Sequence, residues 1–138
     1  MANVKIEAEL AASPAAVWEI VRDFGDVVRW SPGITSCELD GAGVGAVRTI
    51  KLGDIVIRER LEAFDDVGRS FSYSIVEAPL PLQNYLATFA VAAAADGSKI
   101  TWSSTFAHEG IPAADAQAMV EGIYRSGIKG IEKALATE

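Results

Sequence analysis

Apolar side chains change period three times along this chain: alternation, a short helical stretch, a long return to alternation, and a final helix. Val4, Ile6, Ala8 and Leu10 alternate with Lys5, Glu7 and Glu9, the pattern of a half-buried strand. Ser13 and Pro14 then open a short helix, serine as its cap and proline at its first position, that carries Val17, Trp18, Ile20 and Val21. Asp26 to Trp30 reads as irregular or briefly helical and is closed by Ser31-Pro32-Gly33. Six further strands follow: Ile34 to Leu39, Ala46 to Leu52, Ile55 to Phe64, Ser70 to Glu77, Gln83 to Ala95 and Ser98 to His108. Glycines 41, 43 and 45, Gly53-Asp54, Asp65-Asp66-Val67-Gly68, Pro79-Leu80-Pro81 and Asp96-Gly97 mark the turns between them.

From Pro112 to Glu138 the apolar residues Ala116, Met119, Val120, Ile123, Tyr124, Ile128, Ile131 and Leu135 fall three and four apart, which predicts one long amphipathic helix. Pro112 suits its first turn, and Asp115 places negative charge near the positive end of the helix dipole. Gly122, Gly127 and Gly130 are costly there, at about 0.8–1 kcal/mol each relative to alanine. Either the helix is pressed so closely on a sheet that only a hydrogen fits, or part of its face borders a space kept for a ligand.

Hairpin-linked strands with one apolar face need cover, and the terminal helix is the element long enough to supply it. The predicted fold is α+β: a seven-stranded, curved antiparallel sheet gripping a long C-terminal helix, with short helices after the first strand. A single domain of this kind is expected over residues 1–138. A rod held in a curved sheet can leave a cleft, the kind of place where small ligands bind.

Composition narrows the functions. A net charge of −7 opposes a phosphate-binding surface, so no nucleic-acid partner is expected. No apolar run reaches the roughly 18 residues of a membrane span, and Met1 to Lys5 lacks the basic-then-apolar plan of a signal peptide. A cytoplasmic protein with no integral membrane association is expected. Cys37 is the one cysteine and His108 the one histidine, so neither an internal disulfide nor a closed zinc site can form, and no metal or cofactor is expected.

The informative polar residue is Glu59. Alternation places it with Ile55, Ile57 and Leu61 on the core side, opposite Arg58, Arg60 and Glu62. A carboxylate there needs a cation, water or a ligand. An ion pair with Arg48 or Lys51 from the neighbouring strand and a role in a pocket are both open. Tyr73 and Tyr85 also face inward by alternation, as core rings or as hydroxyl donors to a ligand. In the last strand Thr101, Ser103, Thr105 and Ala107 alternate with Ile100, Trp102, Ser104, Phe106 and His108, and periodicity does not say which set faces the helix. His108 and Cys37 read as structural, and glycines 41, 43 and 45 as a turn, because no helix with Lys-Ser/Thr follows them.

The order Val17-Trp18-Glu19-Ile20-Val21-Arg22-Asp23-Phe24, Ile34-Thr35-Ser36-Cys37, Gly45-Ala46-Val47-Arg48, Glu59-Arg60-Leu61-Glu62, Asp65-Asp66 and Gln83-Asn84-Tyr85 resembles the plant abscisic acid receptors. These belong to the START-like, Bet v 1-like (SRPBCC) superfamily, which also holds bacterial polyketide cyclase/dehydrase and lipid-transport proteins. The resemblance runs from about Val4 to Leu135. It implies the helix-grip fold and a hydrophobic pocket. By motif, Glu59, Phe71, Tyr85, Ser103, Met119, Ile123 and Gly127 fall at ligand-contacting positions, and Arg48 at another position associated with the pocket. The match at Ser103 implies that the small polar set faces inward, and Gly127 would widen the pocket. Thr35 stands where the receptors carry the lysine that meets the hormone carboxylate, Leu80-Pro81-Leu82 replaces their latch, and the gate loop is shortened around Gly53-Asp54. The resemblance therefore implies a bacterial-type member with a different ligand.

The expected function is binding of a small hydrophobic molecule, a lipid, isoprenoid or aromatic polyketide, oriented by Glu59 with Arg48, Tyr73 and Tyr85. An enzyme of the cyclase or dehydratase type with Glu59 as general acid or base is the first alternative. The second is an interaction or chaperone-like module using exposed Trp102 and Phe106, with a homodimer among its forms.

Overall fold

The computed structural model describes residues 1–137, and Glu138, the last residue of the predicted terminal helix, lies outside them. Strand β1 (Ala2–Leu10) leads into α1 (Pro14–Val21), where the Ser13 hydroxyl accepts the Ala16 N–H at 3.2 Å, the cap expected for a serine before Pro14. A 3-10 turn, Val27–Arg29, occupies the stretch that reads as briefly helical. Then come β2 (Ser36–Asp40), β3 (Val47–Leu52), β4 (Ile55–Asp65), β5 (Ser70–Glu77), β6 (Leu82–Ala94) and β7 (Gly97–His108), and finally α2 (Ala113–Ala136). Pro112 sits one position earlier than expected, as the N-cap in extended conformation. Among the described residues no helix is long and apolar enough to cross a membrane.

The seven strands form one antiparallel sheet in the order β1-β7-β6-β5-β4-β3-β2. β2 to β7 run as a meander, and β1 returns to pair with β7, with Ile6 opposite Trp102 and Val4 opposite Ser104. Residues opposite one another across an antiparallel ladder share a face. The apolar set of β1 therefore brings Ile100, Trp102, Ser104 and Phe106 inward and leaves Thr101, Ser103 and Thr105 outside. This corrects the orientation implied for Ser103. It also removes the premise of the interaction reading, since Trp102 and Phe106 are buried. The large rings belong to the core because they remove far more apolar surface from water than the small hydroxyl side chains would.

The sheet carries three register shifts, one between Arg58 and Glu59 where β4 meets β5 and two that re-phase a strand where the interior turns polar. In β6 the register jumps between Gln83 and Leu86, and Asn84 takes the left-handed conformation, φ +54°. Leu82 and Tyr85, an odd number of residues apart, thereby point the same way. In β4 the step between Leu61 and Ala63 does the same for Leu61 and Phe64, which pair with Tyr73 and Phe71.

α2 lies over β1, β7 and α1. Its buried face is Ala116, Val120, Tyr124, Gly127, Ile128, Gly130 and Ile131. That face is narrower than the heptad pattern implies: Met119 is half-buried and Ile123 is 48% exposed, about 100° round the helix from Tyr124. The glycines divide. A Cβ on Gly130 would lie 1.8 Å from the Trp30 carbonyl oxygen, and one on Gly127 2.8 Å from the Trp102 ring, whereas one on Gly122 would meet nothing within 4 Å. Gly127 therefore serves close packing, which corrects the expectation that it widens a pocket.

Candidate functional site

The interior between α2 and the sheet is lined by aromatic rings. Trp102 stacks on Tyr124 at 4.3 Å between centroids and meets Phe89 edge-on at 5.1 Å, while Trp30 packs against both Trp102 and Phe89. Phe71 stacks on Phe89 at 5.5 Å, and Tyr85 on Phe106 at 6.1 Å. Each such pair contributes about 0.5–1.5 kcal/mol beyond the area it buries.

Into this apolar shell the chain inserts a connected set of polar groups. Arg48 on β3 stands directly opposite Glu59 on β4, and both point inward. The Arg48 Nη2 and Nε lie 2.7 Å and 2.8 Å from Glu59 Oε1, and Nη1 donates to the Phe24 carbonyl at 3.1 Å. The guanidinium carbon sits 3.9 Å from the centre of the Phe24 ring and 5.3 Å from that of Tyr73. Arg48 is therefore the ion-pair partner of Glu59, and Lys51, of opposite alternation, is exposed. Because two nitrogens converge on one carboxylate oxygen, Oε2 of Glu59 keeps its accepting capacity.

Beside the ion pair, three phenols gather. The Trp102 indole N–H donates to the Tyr73 hydroxyl at 3.2 Å, and the hydroxyls of Tyr85 and Tyr124 are in direct contact. Burial pushes all three phenols up, Tyr124 to about 12 and Tyr73 and Tyr85 well above the ordinary tyrosine value. The Glu59 charge adds to the rise of Tyr73 and Tyr124. The phenols are thus neutral donors at physiological pH. Ser104 Oγ lies close enough to influence Tyr124 but is buried without a hydrogen-bond partner, as is the Trp30 indole N–H.

The structure brings Arg48, Glu59, Phe71, Tyr73 and Tyr85 to the inner face, with Gly127 buried against Trp102 and Trp30. Ser103 is on the outer face, and Met119 and Ile123 lie along the flank of α2. Tyr124 and Ser104 are polar members that the sequence reading did not single out. The signal for Tyr124 was present: a tyrosine on a buried helical face carries a hydroxyl that must find a partner. His108 Nδ1–H donates to the Ile111 carbonyl at 2.9 Å, and Cys37 is a half-buried thiol pushed up by desolvation, the structural roles expected of them.

A curved antiparallel sheet around a C-terminal helix, with a short helix after the first strand and a polar cluster inside, is the Bet v 1-like helix-grip arrangement. Ara h 8.0201 shares it with a TM-score of 0.84 at 22% identity, over 99% of this chain and 98% of that one. XoxI from Bacillus cereus is 34% identical, with a TM-score of 0.91 over 99% of this chain and 96% of that protein. A protein from Thermobifida fusca is 26% identical, with a TM-score of 0.88 over 99% and 95% of the two chains. The family model for polyketide cyclase / dehydrase and lipid transport matches residues 1–136, and the chain belongs to that family.

Proposed function

We propose that this protein binds one small hydrophobic molecule, a lipid, isoprenoid or aromatic polyketide, between α2 and the β3–β6 part of the sheet. The family and the fold support a hydrophobic-ligand module. The observation that carries the reading is the polar cluster: Glu59, Arg48 and three tyrosine hydroxyls converge inside an interior otherwise made of aromatic and aliphatic groups. Few polar groups in an apolar surround orient a ligand and set its specificity. Phe71 supplies ring surface, and the half-buried Ile57, Ile75 and Met119 and exposed Ile123 form apolar flanks along which a ligand enters. Ser103, on the outer face, has no part in this site.

Native mass spectrometry of the protein from its own host, followed by denaturing extraction, tests the reading. A stoichiometric apolar passenger is expected, bound several-fold more weakly in Glu59→Gln and Tyr85→Phe, each measured well below its own melting temperature, which Glu59→Gln lowers by stranding Arg48. Affinity unaltered in both folded variants would refute the assigned site. Conversion of an added aromatic polyketide, lost in Glu59→Gln, would instead mark a cyclase or dehydratase in which the carboxylate moves a proton.

A further inference from the structure

Charge in the interior is balanced within the chain itself. Arg48 is the one buried cation among the described residues, and Glu59 holds it at 2.7 Å. Its remaining surroundings are also taken: Phe24 covers the guanidinium at 3.9 Å, the Phe24 carbonyl accepts from Nη1, and the residue is 5% exposed. The other polar groups nearby, Tyr73, Tyr85, Tyr124 and Ser104, carry no charge at neutral pH. An anionic headgroup brought here would meet the Glu59 carboxylate with no uncompensated cation to offset it, in surroundings where like charges interact strongly.

Hydrogen-bonding capacity is divided in a particular way. Glu59 Oε2 can only accept, so it requires a donor. The phenols can turn a hydrogen toward a ligand acceptor, and Ser104 Oγ, buried without a partner, can do the same. We infer, on the basis of the ligand-binding reading above, that the ligand is an uncharged molecule whose polar end carries a hydroxyl, which donates to Glu59 and accepts from the tyrosine cluster, and that carboxylates are rejected. Thr35, exposed at the head of β2, supplies no cation that would change this balance.

A pair of probes with the same isoprenoid tail, farnesol and farnesoate, sets a neutral hydroxyl against a carboxylate that carries charge and no donor, and is measured by isothermal titration calorimetry at pH 7.5. Wild-type protein is expected to bind farnesol at least tenfold more tightly than farnesoate. In Glu59→Gln, Arg48 loses its counter-charge, so farnesol weakens, farnesoate strengthens, and the ratio narrows by tenfold or more. Wild-type protein that binds farnesoate as tightly as farnesol would overturn the inference while leaving the ligand-binding reading in place. A ratio unchanged in folded Glu59→Gln would overturn the role given to Glu59. Binding of neither probe would overturn the ligand-binding reading and the inference with it. The wild-type comparison stands even if the variant fails to fold.

Discussion

Replacing the glycines of α2 by alanine, one at a time, separates helix propensity from packing. All three gain the same intrinsic term, about 0.8–1 kcal/mol of helical preference. At Gly122 nothing lies within 4 Å of the new methyl, so Gly122→Ala is expected to stabilise by about 0.5–1 kcal/mol. For a chain of this size that raises the melting temperature by roughly 2–4 °C. At Gly130 the methyl would lie 1.8 Å from the Trp30 carbonyl oxygen and 2.8 Å from Pro32 Cδ, against the 3.4 Å or more of ordinary contact. Backbone cannot rotate out of the way as a side chain can, so the helix and the Trp30 segment must part, at a cost near the top of the usual overpacking range of about 1–3 kcal/mol. After the propensity gain, Gly130→Ala is expected to lose about 2 kcal/mol, or roughly 6–10 °C. Gly127→Ala falls between them, because its close neighbours are ring atoms of Trp102 at 2.8 Å and Trp30 at 3.3 Å, which can tilt. Thermal melts by circular dichroism, backed by urea titration, give the order. Gly130→Ala melting at or above the wild-type temperature would refute the close approach of α2 to the Trp30 segment.

Three further perturbations address other parts of the fold. Arg48→Met leaves the Glu59 carboxylate buried without its guanidinium and is expected to cost about 3 kcal/mol in urea unfolding, much of it recovered in Arg48→Met with Glu59→Met; equal losses in both would show that the pair is not coupled. The Asp66 carboxyl is held below the usual range, first by the Trp18 indole N–H at 2.7 Å and then by Arg22. Its contribution is whole above the unfolded value of about 3.9 and is lost as the pH falls through the lower folded value, so the stability gap between wild type and Asp66→Asn should narrow below about pH 4, and a gap constant down to pH 2 would contradict this. Asn84→Val forces a branched side chain into φ +54° and should cost about 1–2 kcal/mol, whereas Asn84→Gly should be tolerated; chemical unfolding that ranks valine with glycine would argue against the bulge.

Most elements were legible because their periods are clean and their turns carry Gly, Asp and Pro. Alternation alone put Glu59 on the inner face, since Ile55, Ile57 and Leu61 flank it, but left its partner open between Arg48 and Lys51, which the register of β3 with β4 decides for Arg48. The last strand was ambiguous because each of its faces holds hydroxyl side chains, and the likeness at Ser103 pointed to the wrong one. The register with β1 decides it, a long-range pairing that one strand's periodicity cannot contain. Met119 and Ile123 fit a helical face in sequence, yet the sheet covers only the narrower stripe centred on Val120 and Tyr124. The tyrosine cluster was half visible: Tyr73 and Tyr85 from strand alternation, but not their meeting with Tyr124, which joins elements far apart in the chain.

The single extra residue at Asn84 gives β6 two phases of alternation, with Leu82 belonging to one and Tyr85, Ala87, Phe89 and Val91 to the other. Deleting Asn84 would therefore not turn either face over: it would leave Leu82 and Tyr85 two residues apart, so that plain alternation keeps both inward and the ladder with β7 runs on in one register. What would be lost is the local bend and added twist that an extra residue gives a strand. The extra residue at this point shapes the path of β6 beside Tyr85 rather than deciding which side chains face the core.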